Sequence, residues 1–407
     1  MTTHNRVRIS KLAIGLAIAL AAAPAFAQNT TSALGGRISS EAGQAVAGAE
    51  VTIVHTESGS VSKAITDAEG RFLARGLRVG GPYTITTTKD GKTETREGVY
   101  LELAETGNVD IKFADATTLA AVQVTGARSA DVFDSKKMGA GTNINREKLN
   151  TFASIQRNLQ DYARLDPRIS QTDKDRGEIS AGGQNSRFNS ITIDGVSTND
   201  TFGLEANNLP TAKQPISIDA IQSVQINISN FDVTQKGYTG ANINAVTKSG
   251  TNDFKGSVYY VYRNDSLSGD KYNRASGTYF SPEKFTEDTK GITFGGPILE
   301  DNLFFFVSYE ELKSTRATPT FGPLGSSQTN VAITPAEISG AQSVATGYGM
   351  NIGDTTANAA ELSVTDALIK LDANLGERHR ASLRWSKTEQ SDPIFPNNFN
   401  NLLSLSS

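Results

Sequence analysis

The chain has 407 residues, with 39 Lys and Arg against 43 Asp and Glu, 37 glycines and no cysteine. That charge balance excludes the basic face of a nucleic-acid binder, and the lack of thiols excludes disulfides, zinc–thiolate clusters and cysteine nucleophiles. The length accommodates two or three domains, each with its own core.

At the N-terminus Arg6, Arg8 and Lys11 precede an apolar run over 12–23, and Ala25-Phe26-Ala27 supplies a small-x-small site. The apolar run is too short to span a bilayer, so residues 1–27 read as a signal peptide cleaved after Ala27. Export across a bacterial inner membrane follows as an expectation. No later apolar run reaches the roughly twenty residues of a transmembrane helix, but barrel strands, which are short and only half apolar, need none.

Residues 28–113 read as short strands between turns. Ala49, Val51 and Ile53 alternate on one side of a strand over 49–54. Asp67 can cap the turn at 66–70, where Gly70 tolerates positive φ. Phe72-Leu73 resumes a strand, Gly80-Gly81-Pro82 turns the chain, and 83–88 is β-branched. Strands at this spacing without a helix signal indicate a β-sandwich. Residues 43–51, Thr66-Asp67 with Gly70-Arg71-Phe72, and 77–83 resemble the carboxypeptidase regulatory-like domain, a transthyretin-like sandwich. That resemblance implies a module without catalytic function. The Asp67/Glu69 pair falls short of the oxygen count of a calcium site and reads as a solvated turn.

Residues 114–130 form a linker holding Val122-Gln123-Val124-Thr125-Gly126, with Val122 and Val124 on one face of an extended segment. It reads either as an ordinary linker strand or, by resemblance, as a TonB box. Such a peptide is offered to the energy-coupling protein TonB through main-chain hydrogen bonds of an unpaired strand.

Over 131–250 the pattern is mixed. Ile155, Leu159 and Tyr162 mark a short amphipathic helix that stops at Asp166-Pro167. Ile191 and Ile193 lie on a strand, Asp194-Gly195 is a tight-turn signal, and Val224, Ile226 and Ile228 alternate along another strand. The expectation is a compact α+β domain. Asn158-Leu159, the Pro167 stop, Arg187-Phe188-Asn189, Ile193-Asp194-Gly195-Val196, 221–228 and 238–248 resemble, in order, the plug domain of TonB-dependent outer-membrane receptors. Asn242 and Asn230-Phe231-Asp232 depart from the usual pattern. Arg187, Asp194 and Gly195 belong either to packing of the plug or to the ligand side, with packing the simpler assignment.

Beyond 251 the alternation suits a barrel with lipid outside and water inside. Leu303, Phe305, Val307 and Tyr309 share a face opposite Phe304, Phe306, Ser308 and Glu310. Ala367, Ile369, Leu371 and Ala373 oppose Leu368, Lys370, Asp372 and Asn374, while Ala381, Leu383 and Trp385 oppose Arg380, Ser382, Arg384 and Ser386. Trp385 is placed for an interfacial aromatic girdle. Gly295-Gly296-Pro297-Ile298 with 301–306 resembles the early barrel of the Oar-like branch of this receptor family. That family's plugged lumen has about twenty-two strands, which need roughly 220 residues before any loops, more than position 251 onward supplies. The expectation is an N-terminal fragment with an arc of about five to seven strands.

The fold class expected is therefore mainly β and multidomain: a sandwich, a small α+β plug, then the first strands of an incomplete transmembrane antiparallel barrel. His4, His55 and His379 are too scattered for a metal site or a triad, and no Walker, Gly-x-Ser-x-Gly or dinucleotide motif is present. No enzyme, cofactor, metal or nucleic-acid partner is expected. The resemblance implies an outer-membrane transporter with sandwich and plug on the periplasmic side. Its partners would be the TonB complex, outer-membrane lipid and a large ligand: a siderophore, cobalamin, an oligosaccharide or a peptide. The competing reading is an outer-membrane-anchored adhesion or envelope-organising protein whose sandwich binds polymer or protein.

Overall fold

The computed structural model describes residues 30–113 and 141–392, except 155, 175, 204, 230–236, 283, 318–320, 327–328, 331, 351–358 and 377–378. The signal-peptide site at Ala25 and Ala27 and the peptide Val122–Gly126 lie outside the described residues.

The first unit is a two-sheet sandwich. Strands β1 (Ser32–Ser39), β2 (Glu50–His55), β3 (Ser60–Ile65), β4 (Arg71–Leu77), β5 (Gly80–Lys89), β6 (Lys92–Leu101), β7 (Thr106–Asn108) and β8 (Ile111–Lys112) build it. One sheet runs β4-β1-β7 with β8 also on β1, and the other runs β3-β2-β5-β6. Alternation dictates the core: Ala49, Val51 and Ile53 are fully buried with Leu34, Ile38, Leu77 and Ile85. At Gly36 a Cβ would overlap the Val109 carbonyl, so only glycine admits the close pass of the β7–β8 link. Asp67 accepts from the backbone N–H groups of Glu69 and Arg71 and closes the 66–70 turn, with Gly70 at φ 74°. One expectation is corrected: Gly80-Gly81-Pro82 does not form the turn. Those residues open β5 across a register shift, and the reversal falls at Arg78-Val79.

The second unit holds a mixed sheet, β13-β12-β15-β14-β9, with a β10–β11 hairpin beside it. Its strands are β9 (Gly141–Ile144), β10 (Ile169–Asp173), β11 (Glu178–Ala181), β12 (Ser190–Ile193), β13 (Val196–Ser197), β14 (Ile221–Asn227) and β15 (Asn242–Thr247). Asp194 and Gly195, at φ 47° and 79°, make the primed turn that joins β12 to β13. Val224, Ile226, Ile243 and Ala245 bury one face under Leu149, Leu159 and Tyr162. The expected helix is shorter than its periodicity suggests. It spans Leu159–Ala163 because the Asn158 side chain caps it, accepting from the Asp161 N–H at 2.8 Å. Ile155 lies outside the described residues.

The third unit is a curved antiparallel wall of five long strands. They are β16 (Lys255–Asn264), β19 (Phe285–Leu299), β20 (Leu303–Ala317), β23 (Ala359–Leu375) and β24 (His379–Ser391). The hairpin β17 (Lys271–Asn273)–β18 (Thr278–Phe280) and the short pair β21 (Phe321–Gly322)–β22 (Thr329–Asn330) decorate its loops. Among the described residues the wall does not close on itself. Parity holds throughout: Val258, Tyr260, Ile292, Phe294, Tyr309, Ile369, Leu383 and Trp385 are exposed on the convex face. Phe304, Phe306, Ser308, Leu368, Lys370 and Asp372 are buried on the concave face. The helix Pro335–Gly347, opened by a Thr334/Glu337 capping box, lies exposed between β22 and β23. Its Thr-x-x-Glu signal is legible at 334–337, and the expectations above do not include it.

Candidate functional site

The concave face of the wall carries a chemical pattern that makes sense only with the middle domain seated on it. Tyr259, Gly291, Glu310, Asp366 and Thr388 align in register across the five strands. Glu310 and Asp366 are thus directly opposed like charges, an arrangement that destabilises an isolated sheet. The middle domain packs polar groups against this layer. Arg157 lies over the Tyr259 ring at 4.6 Å, pairs with Asp219, and sits beside Arg146, which binds the same carboxylate at 3.2 Å. The Tyr259 phenol donates to Glu310, and the Ser217 hydroxyl lies 2.5 Å from that phenol. Gly291 gives Tyr259 its place, because a Cβ there would overlap the phenol ring.

A second opposed pair, Lys370 and Arg384, repeats the logic with the sign reversed. Asp194 faces it from the β12–β13 turn. Arg384 donates to the Ile193 carbonyl at 2.8 Å and to Asp194 at 3.2 Å, and Lys370 reaches the Thr247 carbonyl at 3.3 Å. Asp194 is fixed from behind by the Thr247 N–H and hydroxyl, at 2.8 and 2.6 Å. The primed turn therefore aims a carboxylate at Arg384, while Lys370 is taken up by Thr247 beside it. Near the far end of the same strands, Lys213 and Arg263 both pair with the buried Glu287, at 3.4 and 3.0 Å. There the Ala212 N–H donates to Gln390, and Thr388 donates to the Pro215 carbonyl.

Apolar contact between the two units is sparse. Phe306 and Leu368 of the wall enter the middle domain's core; the remaining contacts named above are polar. Interfaces of this composition depend on matched charges more than on area, since a buried ion that loses its partner costs several kcal/mol.

Of the singled-out residues, Asp194 and Gly195 are brought to the wall, whereas Arg187 is not. Its guanidinium donates to the Gly203 carbonyl at 2.7 Å and pins the loop carrying the exposed Phe202. Arg157, Ser217, Asp219, Tyr259, Glu310 and Arg384 escape site prediction. The period-2 parity placed Glu310 and Arg384 on the wet face, but partners 51 and 190 residues away, at Tyr259 and Asp194, leave no local signal. Among the described residues no group of His, Asp or Glu side chains is arranged to hold a metal.

At the opposite rim the sandwich meets both other units. Arg380 of β24 donates to the Gly76 carbonyl at 2.6 Å and to Ser62 at 2.8 Å. Lys255 pairs with Glu57 at 2.5 Å, and Arg78 covers the Phe304 ring at 5.2 Å. Asn143 of the middle domain donates to Glu105.

Comparison of the sequence with known proteins shows its family. Residues 33–114 match the carboxypeptidase regulatory-like domain and residues 246–361 an outer membrane beta barrel domain. The chain is 30% identical over 298 residues to the TonB-dependent transporter Oar of Myxococcus xanthus, covering 70% of this chain and 27% of that protein. Solved structures with similar architecture include the outer membrane transporter YddB from Escherichia coli, at 16% identity and TM-score 0.44 over 62% of this chain and 33% of that one. The siderophore receptor PirA from Acinetobacter baumannii matches at 18% identity and TM-score 0.42, over 62% and 32%. The chain spans about a quarter of the length of its curated relative. With both domain matches and the Oar relationship in place, the chain belongs to the Oar-like branch of the TonB-dependent outer-membrane receptors.

Proposed function

We propose that this chain forms the gated front of an outer-membrane transporter that moves a large ligand with energy delivered through TonB. The supporting observation is the seating of a compact domain on the concave wall by charge-matched contacts rather than by a continuous apolar interface. A domain held this way occludes a lumen at rest, and a pulling force that separates the charge pairs one at a time can displace it. In this reading the units are a signal peptide over 1–27, a sandwich over 28–113, a linker over 114–130, a plug over 131–250 and barrel strands from 251. Export ends with cleavage after Ala27, and sandwich and plug face the periplasm.

Val122, Gln123, Val124, Thr125 and Gly126 are the segment on which TonB pulls, by adding as a strand to TonB's own sheet. Asp194, on its Gly195 turn, acts as a packing residue of the plug, and Arg187 orders a loop on the plug surface. The ligand class rests among siderophore, cobalamin, oligosaccharide and peptide. The relatives matched are named as transporters and receptors, so no catalytic role is proposed.

The test is binding of purified TonB periplasmic domain to this chain in detergent. Val124→Pro, which removes a main-chain donor and forbids regular strand pairing, should abolish the complex while leaving the circular dichroism unchanged. Equal TonB binding by wild type and Val124→Pro would sink the assignment and favour the anchored adhesion reading.

A further inference from the structure

Sandwich, plug and wall enclose a cavity of about 480 Å³ whose lining includes His55, Arg78, Lys370, Asp372, Arg380 and Arg384. Arg384 is already ion-paired with Asp194. Among the described residues Arg78 and Arg380 have only neutral hydrogen-bond partners, which leave several of their donors free. A guanidinium carries five N–H donors. Arg78 spends one on the Gly250 carbonyl at 3.4 Å, and Arg380 spends two on Gly76 and Ser62. Neither lies within ion-pair distance of a carboxylate among the described residues. Asp372, buried with its Oδ2 lacking a partner there, is the carboxylate felt by Arg78. Of the other carboxylates on the lining, Glu57 is paired with Lys255 and Asp194 with Arg384, which leaves Asp372 beside Arg78 and no lining carboxylate on Arg380.

The two arginines come from different units, Arg78 from the sandwich and Arg380 from the wall. Docking the sandwich thus brings like charges together around a half-enclosed space. Burial and the facing Arg380 charge hold the Arg78 guanidinium below its ordinary value, with Asp372 opposing the shift. His55 on the same lining is buried and stays neutral, so it adds a polar ring without adding charge. The parity of β24 puts Arg380, Ser382 and Arg384 on the concave face, opposite the exposed Leu383 and Trp385, so the cavity opens away from the apolar surface.

We propose that this cavity binds a small oxyanion, a phosphate or a carboxylate, bridged between Arg78 and Arg380, and that the bound anion fastens the sandwich to the rim of the wall. The planar forks of the two guanidiniums match the paired oxygens of such groups, and an anion between them replaces repulsion by two charge-assisted contacts. Ligand and docking are then linked. The anion binds tightly only when both arginines face the cavity, and by reciprocity it stabilises the docked sandwich.

Isothermal titration of the whole chain in detergent with inorganic phosphate, and separately with acetate, tests this. Saturable binding should weaken about tenfold or more in Arg78→Gln and in Arg380→Gln alike, and stay unchanged in Arg75→Gln, an exposed neighbour on β4. Arg78→Lys keeps the charge and loses the fork, so it should bind more weakly than wild type but more tightly than Arg78→Gln, which separates lost recognition from lost folding. A response to phosphate alone, or to acetate alone, identifies which oxyanion the site takes. Absence of saturable binding with both anions, or equal binding in wild type and both glutamine variants, overturns the proposal.

Discussion

At the scale of single residues, His55 shows how position sets chemistry. The β2 alternation turns its ring into the sandwich, where it meets Ser58 at 2.9 Å and the edge of Tyr83. Burial first, then the charges of Arg78, Arg380 and Lys255, lower its pKa from 6.5 to about 3. Between those values the unfolded chain binds a proton that the folded chain refuses. Stability is therefore full above pH 6.5 and falls as the pH drops through this window. By pH 5 the loss is on the order of 2 kcal/mol. Thermal melts of the wild type between pH 7 and pH 5 should slope accordingly, while His55→Gln should show a flatter profile whatever its absolute midpoint. Parallel profiles would refute this account. The alternation that buries residues 51, 53 and 55 is legible in the sequence, but the three cations around the ring come partly from β16 and β24, about 200 and 325 residues further on.

The elements reveal a division between what is local and what is not. The β12–β13 turn follows from Asp194-Gly195 alone, since both residues adopt positive φ with little penalty. That the same turn serves as a docking prong depends on Arg384, at side-chain exposures of 15% and 13% for the pair. Asp194→Ala and Arg384→Ala should each destabilise the chain by about 3 kcal/mol or more, because each strands a buried charge. The double variant should cost less than the sum, with a coupling of about 1–3 kcal/mol in urea unfolding. Strict additivity would show that the prong and the wall do not interact in solution. The short helix Leu159–Ala163 makes the complementary point. Periodicity over 155–162 indicated a longer helix, and the Asn158 cap won because its side chain satisfies an N–H that another helical turn would have used.

For the whole molecule, the exposed apolar stripe on the convex face is the decisive surface. Val258 is 81% exposed, Leu383 69% and Trp385 52%, in register with neighbours of the same kind across the sheet. A contiguous apolar face of this kind fits hydrocarbon. The chain should float with phospholipid vesicles in a density gradient. Val258→Arg with Leu383→Arg should reduce that partition strongly, each substitution opposing insertion by about 2–4 kcal/mol if it reaches the bilayer midplane. Equal flotation of wild type and double variant would contradict a lipid-facing role for this stripe. The sequence by itself pointed to the three units, the two faces of the wall strands β20, β23 and β24 and the primed turn at Asp194-Gly195. Each of these follows from periods of two residues or from φ preferences, which are properties of neighbours along the chain. Only the tertiary structure decided that Glu310 with Asp366, and Lys370 with Arg384, are opposed pairs covered by polar groups of the plug, and that Arg78 and Arg380 line a shared cavity. Strand register and domain docking place those charges, and both are settled by the free energy of the assembled molecule rather than by any stretch of its sequence.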